Sequence, residues 1–203
     1  MAESCKTLTI VRRMATGIYR EFQNPVLDVG CGPDTPSYDW PARVLKAGGP
    51  AFERTRYDME HGDAEELNGI EDGAFGTVYA SHILEHLQDP RTALRNWLRA
   101  TRIGGSLFIA VPHRRLYECD KDQPPSMWAG DQHLWFFDPD RHRSGKSLGL
   151  AELLLIDMPR IWEAQGMEAR LAYFATCDWG YERPAGGHPR GEYQIEAALV
   201  RLK

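Results

Sequence analysis

Between Phe75 and Pro112 the chain spells strand, helix, strand in an order that leaves little choice of topology. FGTVYAS, residues 75–81, is a short apolar and β-branched run behind the turn Glu71-Asp72-Gly73, and it reads as a buried strand. Asp89 is placed to cap a helix, Pro90 fits its first turn, and Leu94, Trp97, Leu98 and Thr101 recur at helical spacing. Gly104-Gly105 is expected to end that helix, and SLFIAV, 106–111, follows as a second buried strand closed by Pro112. Two strands joined through a helix lie parallel in one sheet with a right-handed crossover, so the fold class is α/β.

The same reading extends in both directions. In VLDVGCGPDTPSYDW, residues 26–40, Val26, Leu27 and Val29 form another buried strand with Asp28 inside it. The strand breaks at Gly30-Cys31-Gly32, where missing side chains let the backbone approach a ligand closely. Ile10, Val11, Met14, Ile18 and Phe22 predict an amphipathic helix before it, Ala42–Lys46 one short helical turn, and Arg54–Asp58 a second strand ending in an acid. From 113 to 146 aromatics, prolines, histidines and charges follow without a period, as they do in functional lids. Leu148–Ile156 reads as a buried helix restarted at Pro159, and Glu168–Phe174 and Tyr193–Leu202 as a closing pair of strands. A single domain over 1–203 is expected: an N-terminal helix (1–24), a cofactor-binding core (25–112), a substrate lid (113–147) and a C-terminal helix with strands (148–203).

With 203 residues, 42% hydrophobic and 26% charged, the chain has material for one full core. A net charge of −5 without a long Lys/Arg block argues against a general nucleic-acid binder. Arg12-Arg13 and Arg141-His142-Arg143 are expected to be solvated. Cys5, Cys31, Cys119 and Cys177 form no Cys-x-x-Cys pair, which speaks against a zinc knuckle or a disulfide framework and for a reducing, cytoplasmic setting. No apolar run reaches the roughly 20 residues of a membrane span, so no membrane partner is expected.

A dinucleotide fingerprint would need a third glycine at position 35, where Thr35 stands. Gly30-Cys31-Gly32 behind Asp28 instead resembles the first motif of class I S-adenosylmethionine-dependent methyltransferases. Downstream, Gly62-Asp63-Ala64, FGTVYASHILEHL and RIGGSLFIAVP resemble, in order, the remaining core of the type 11 group. The resemblance implies a Rossmann-like methyltransferase sandwich, mostly parallel with an antiparallel C-terminal strand. Only four residues separate Asp58 from Asp63, too few for the helix and strand usual there, so one edge strand is expected to be missing.

The resemblance also implies roles. Asp28 and the amides of Gly30, Cys31 and Gly32 would serve the methionine end of S-adenosylmethionine. Asp58, with Glu60 as second choice, would accept the ribose hydroxyls, Asp63 and Ala64 would read the adenine, and Ser81 would lie against the cofactor at a strand end. Methyl transfer to a hydroxyl needs a proton acceptor, and His82 and His113, each just past a strand, are the candidate general bases. His86 is expected to pack at a helix start. Trp128, Asp131, His133 and Trp135 are candidates to wall an acceptor pocket, and no His/Asp/Glu spacing is metal-specific, so no metal is expected. The implied activity is methyl transfer to oxygen or nitrogen of a small molecule or sugar. The rivals are an enzyme of this fold that uses the cofactor without methylating and a non-catalytic cofactor-binding regulator.

Overall fold

The computed structural model describes residues 6–32, 40–121, 124–128, 132–142 and 145–203. Along the chain run α1 (Thr7–Thr16), β1 (Val26–Val29), α2 (Trp40–Lys46), β2 (Arg54–Tyr57), β3 (Phe75–Ser81), α3 (Pro90–Ala100), β4 (Thr101–Pro112) and α4 (Arg114–Tyr117). Short strands β5 (Phe136–Asp138) and β6 (Ser147–Gly149) follow, then α5 (Leu150–Glu152) and α6 (Met158–Glu163) with a π-helical turn between them, and finally β7 (Ala169–Cys177) and β8 (Gln194–Arg201).

Six strands form one sheet in the order β2-β1-β3-β4-β8-β7, and β5 pairs with β6 apart from it. The first four strands are mutually parallel, and β8 runs antiparallel to both β4 and β7. Residues 58–74, between β2 and β3, form turns and no strand, so β2 is left as the sheet edge. This is the missing edge strand that the short Asp58-to-Asp63 spacing predicts.

Both faces of the sheet are covered, as a parallel sheet requires. Leu27, Val29, Val78 and Ala80 point to one face and pack with Trp97, Leu98, Met158 and Trp162 of the helices there. Val26, Tyr79 and Phe108 point to the other, against Ile10, Ile18, Phe22 and Trp40. The α3 cap forms as expected: Asp89 Oδ1 accepts the Arg91 amide at 2.9 Å, and Pro90 stands in the first turn.

Three expectations need correction. The helix ends at Ala100, before the glycine pair, because Thr101 already pairs with Phe75 in the sheet and its hydroxyl closes the last turn on the Trp97 carbonyl at 2.9 Å. Gly104 and Gly105 therefore lie inside β4. The C-terminal helix starts at Leu150 and not at Leu148, since 147–149 is drawn into pairing with β5.

The third concerns the arginine pair. Arg12 and Arg13 are buried, at 3% and 0% exposure, whereas Val11 is 47% exposed. Arg12 donates to Glu192 at 2.8 Å and to Glu196 at 2.6 Å, and Arg13 donates to Glu196 at 2.9 Å and to the Tyr79 hydroxyl at 2.9 Å. Those carboxylates turn α1 onto its charged side, because the buried cations are paired.

Candidate active site

In an open α/β sheet, ligands bind beyond the carboxyl ends of the strands where the strand order reverses. Here the order reverses between β1 and β3. At that place stand the glycine turn after β1, Asp58 after β2 and His82 after β3.

Gly30 has φ +68° and Gly32 +67°, the left-handed region that side chains resist. A Cβ on Gly30 would stand 2.7 Å from Ile83, so the turn is pressed against the loop after β3. A Cβ on Gly32 would meet nothing within 4 Å and would project into open space. Asp58 Oδ2 accepts the Gly32 amide at 2.5 Å, and Arg56 donates to the Gly32 carbonyl at 2.9 Å. The Cys31 thiol lies 3.7 Å from the same carboxylate, and burial, ahead of the opposing pull of Arg56, pushes it up, so it is a thiol and not a nucleophile.

Asp28 is held differently from the expectation. Its side chain is 3% exposed and accepts from Trp40 Nε1 at 2.8 Å and from Arg54 Nε at 2.7 Å. Burial raises its pKa, and Arg54 and Trp40 only partly offset that. Glu60 is well exposed and lies 3.6 Å from Arg56. Pro33, Asp34 and Thr35 lie outside the described residues, as does Asp131.

The Gly62-Asp63-Ala64 turn is pinned from beneath by α3. Trp97 Nε1 donates to the Ala64 carbonyl at 2.8 Å, Asn96 to the Glu65 carbonyl at 2.8 Å, and Asp63 Oδ1 accepts the Glu65 amide at 2.8 Å. Ser81 ends β3 with its hydroxyl buried beside Tyr79. The next residue, His82, has φ +57°, unusual for a side chain with a Cβ. Its amide is held by the Ala110 carbonyl at 2.8 Å, and its Nε2 meets Gln194 Oε1 at 2.9 Å. The Gln194 amide nitrogen donates to Glu196 at 2.7 Å, which leaves Oε1 as the acceptor and puts the imidazole proton on Nε2. His82 Nδ1, with the lone pair, faces Glu85 at 3.6 Å.

His113 follows β4 but is used by the backbone: its Nδ1 accepts the Arg115 amide at 3.1 Å and caps α4. Burial lowers its pKa, against the opposing charge of Asp138. It lines a cleft of about 570 Å³ with Arg114, Asp138 and Arg141. Lid residues Trp128 and His133 are brought together around Tyr117, whose ring centroid lies 6.2 and 5.6 Å from theirs, with His188 and Tyr193 at 5.3 and 5.0 Å. Trp135 is elsewhere, donating to the Leu87 carbonyl at 2.9 Å under Lys146. His86 sits in the 3-10 turn Leu84–His86, its Nδ1 at 3.3 Å from the Gln132 carbonyl.

Trp40, Arg54, Glu85, Glu118 and Gln194 escaped the sequence reading. Trp40 and Arg54 reach Asp28, Glu118 reaches His133 and Gln194 reaches His82 across the fold, whereas Glu85 meets its chain neighbours His82 and His86.

Residues 27–109 match the family profile described as a methyltransferase domain. No curated protein matches in sequence. A solved structure from Listeria monocytogenes, assigned as an S-adenosylmethionine-dependent methyltransferase, is 11% identical, covers 98% of this chain and 100% of its own, and superposes with a TM-score of 0.54. An S-adenosylmethionine-dependent methyltransferase of Archaeoglobus fulgidus is 15% identical over 95% of this chain and 92% of its own, with a TM-score of 0.51. At these identities the likeness is one of fold. Among the described residues no helix is long and apolar enough to cross a membrane.

The site suits S-adenosylmethionine: a bare glycine backbone opens outward at Gly32, an acid adjoins it at Asp58, and the Ser81 side chain ends the neighbouring strand.

Proposed function

We propose that this chain is an S-adenosylmethionine-dependent methyltransferase acting on a hydroxyl or amine of a small molecule or sugar, with the whole chain as one domain and residues 113–147 over the acceptor. The observation that carries this is His82, fixed in a left-handed backbone just past β3 with Nε2 held by Gln194 and the Nδ1 lone pair on the side of Glu85. An imidazole so fixed keeps Nδ1 unprotonated and able to take a proton.

S-adenosylmethionine supplies a methyl group activated on a sulfonium. The chain's own residues hold and orient. Asp58, whose Oδ2 braces the glycine turn and whose Oδ1 accepts the Met59 amide, has acceptor capacity left for a ribose hydroxyl, and it is preferred to Glu60, which is exposed and drawn to Arg56. The Gly30–Gly32 backbone lies against the methionine end, with Asp28 stiffening the strand behind it through Arg54 and Trp40. Asp63 and Ala64 face the adenine, and Ser81 offers its hydroxyl at the strand end. The glycine turn and Ile83 exclude water, and His82 receives the proton; His113, the second candidate, has its Nδ1 lone pair taken by the Arg115 amide. Trp128 and His133, gathered around Tyr117, are the lid residues assigned to the acceptor, while Trp135 is held apart against Leu87. A net charge of −5 favours a small acceptor over nucleic acid.

The test is methyl transfer from labelled cofactor across a panel of small alcohols, phenols, sugars and amines. Labelled product with equimolar S-adenosylhomocysteine is expected for at least one class. Cofactor consumption without a methylated product would assign the site to cleavage or cyclisation, and binding without any turnover to a regulator.

A further inference from the structure

The carboxylate of Glu85 is 1% exposed, and neither oxygen has a hydrogen-bond partner among the described residues. A buried carboxylate left in that state is costly unless a cation meets it. What surrounds it is a set of imidazoles whose outward nitrogens are already occupied. His86 Nδ1 meets the Gln132 carbonyl at 3.3 Å, an acceptor that places the proton there, and His86 Nε2 then faces Glu85 Oε1 at 3.8 Å. His133 Nδ1 lies 2.6 Å from Glu118 Oε1, and Glu118 is itself fixed by Ser126 at 2.9 Å and the Met127 amide at 2.9 Å. The rings of His86 and His133 meet edge to face at 4.9 Å. One ligand atom each from Glu85, His86 and His133 falls within 4.8 Å of the others.

We propose that Glu85, His86 and His133 bind a divalent transition-metal ion, with zinc the best fit. Two imidazoles and one carboxylate are a zinc ligand set, and three protein ligands leave a fourth position for water or a substrate oxygen. Glu118 acts as the outer carboxylate that fixes the ligating histidine's tautomer and raises its basicity, the usual arrangement around bound zinc. His82, whose Nδ1 also faces Glu85 at 3.6 Å, borders the site. The sequence hides it because 85-86 and 133 are far apart and come together only when the lid folds over the 3-10 turn after β3. The inference stands whether or not the chain transfers methyl groups.

The test uses the whole chain, stripped with a chelator and titrated with Zn²⁺ against a chromophoric competitor. One equivalent should bind tightly. Glu118→Gln should weaken binding about 10- to 100-fold, and Glu85→Gln, His86→Ala and His133→Ala should weaken it further. His86 is 36% exposed, so its replacement preserves the fold even where the buried positions do not, and circular dichroism and the thermal midpoint check each variant. Substoichiometric or weak Zn²⁺ binding by the wild type would overturn the proposal. So would undiminished binding by a folded His86→Ala or Glu85→Gln variant, which would place the ion elsewhere.

Discussion

Asp58 Oδ2 accepts the backbone N–H of Gly32 at 2.5 Å and thereby ties the end of β2 to the turn that follows β1. One carboxylate both shapes the turn and borders the space that the turn leaves open. Replacing it by alanine removes a charged hydrogen-bond acceptor, worth about 1.5–3 kcal/mol. Asp58→Ala should therefore weaken S-adenosylhomocysteine binding by about tenfold or more, and Glu60→Ala should leave it unchanged; calorimetric titration of the two variants distinguishes the acids.

The two glycines of the turn should respond differently to alanine. Gly30→Ala imposes a left-handed φ on a side chain, about 1–2 kcal/mol, and drives a Cβ to 2.7 Å from Ile83. An overpacked site costs about 1–3 kcal/mol more, and urea unfolding should show the sum. Gly32→Ala carries only the first cost, because its Cβ would meet nothing within 4 Å, and its main loss should appear in cofactor affinity.

His82→Ala removes the proposed proton acceptor without touching Asp58 or the glycine turn. Turnover with an oxygen acceptor should fall about 10²- to 10⁴-fold while S-adenosylhomocysteine affinity is kept. The same loss in His113→Ala with His82→Ala active would transfer the role across to β4.

Glu196 gives the fold a pH dependence of definite sign. Burial alone would raise its pKa, but Arg13 and Arg12 outweigh that and hold it below the ordinary value. A carboxylate depressed in the folded state adds stability above its unfolded pKa and loses it as pH falls through the folded one. Asp28, raised by burial, has the opposite sign. Unfolding measured from neutral pH downward should show the Glu196 contribution fading below about pH 4.5. Glu196→Gln should flatten that part of the profile and cost about 3–5 kcal/mol at neutral pH by stranding Arg13.

Much of this fold was legible because its signals are local. Asp89 and Pro90 announce α3, short apolar runs announce β1 and β3, and the short Asp58-to-Asp63 spacing announces an absent strand. The boundary at Gly104-Gly105 misled because pairing of Thr101 with Phe75 overrode a local stop. Arg12-Arg13 misled for a similar reason: what buries them is Glu192 and Glu196, 180 and more residues away. In the site, the glycine turn and the strand-end residues could be read directly. The partners that orient them could not, since Gln194 reaches His82 from the last strand and Arg54 reaches Asp28 from its neighbour.

The most direct test of the account is calorimetric titration of the purified, folded chain with S-adenosylhomocysteine, with NAD as the control ligand. Saturable binding of the first at one site, weakened by Asp58→Ala, with no heat from the second, is the predicted result. Absence of binding in a folded sample, or equal binding of NAD, would contradict the assignment of the glycine turn and of everything built on it.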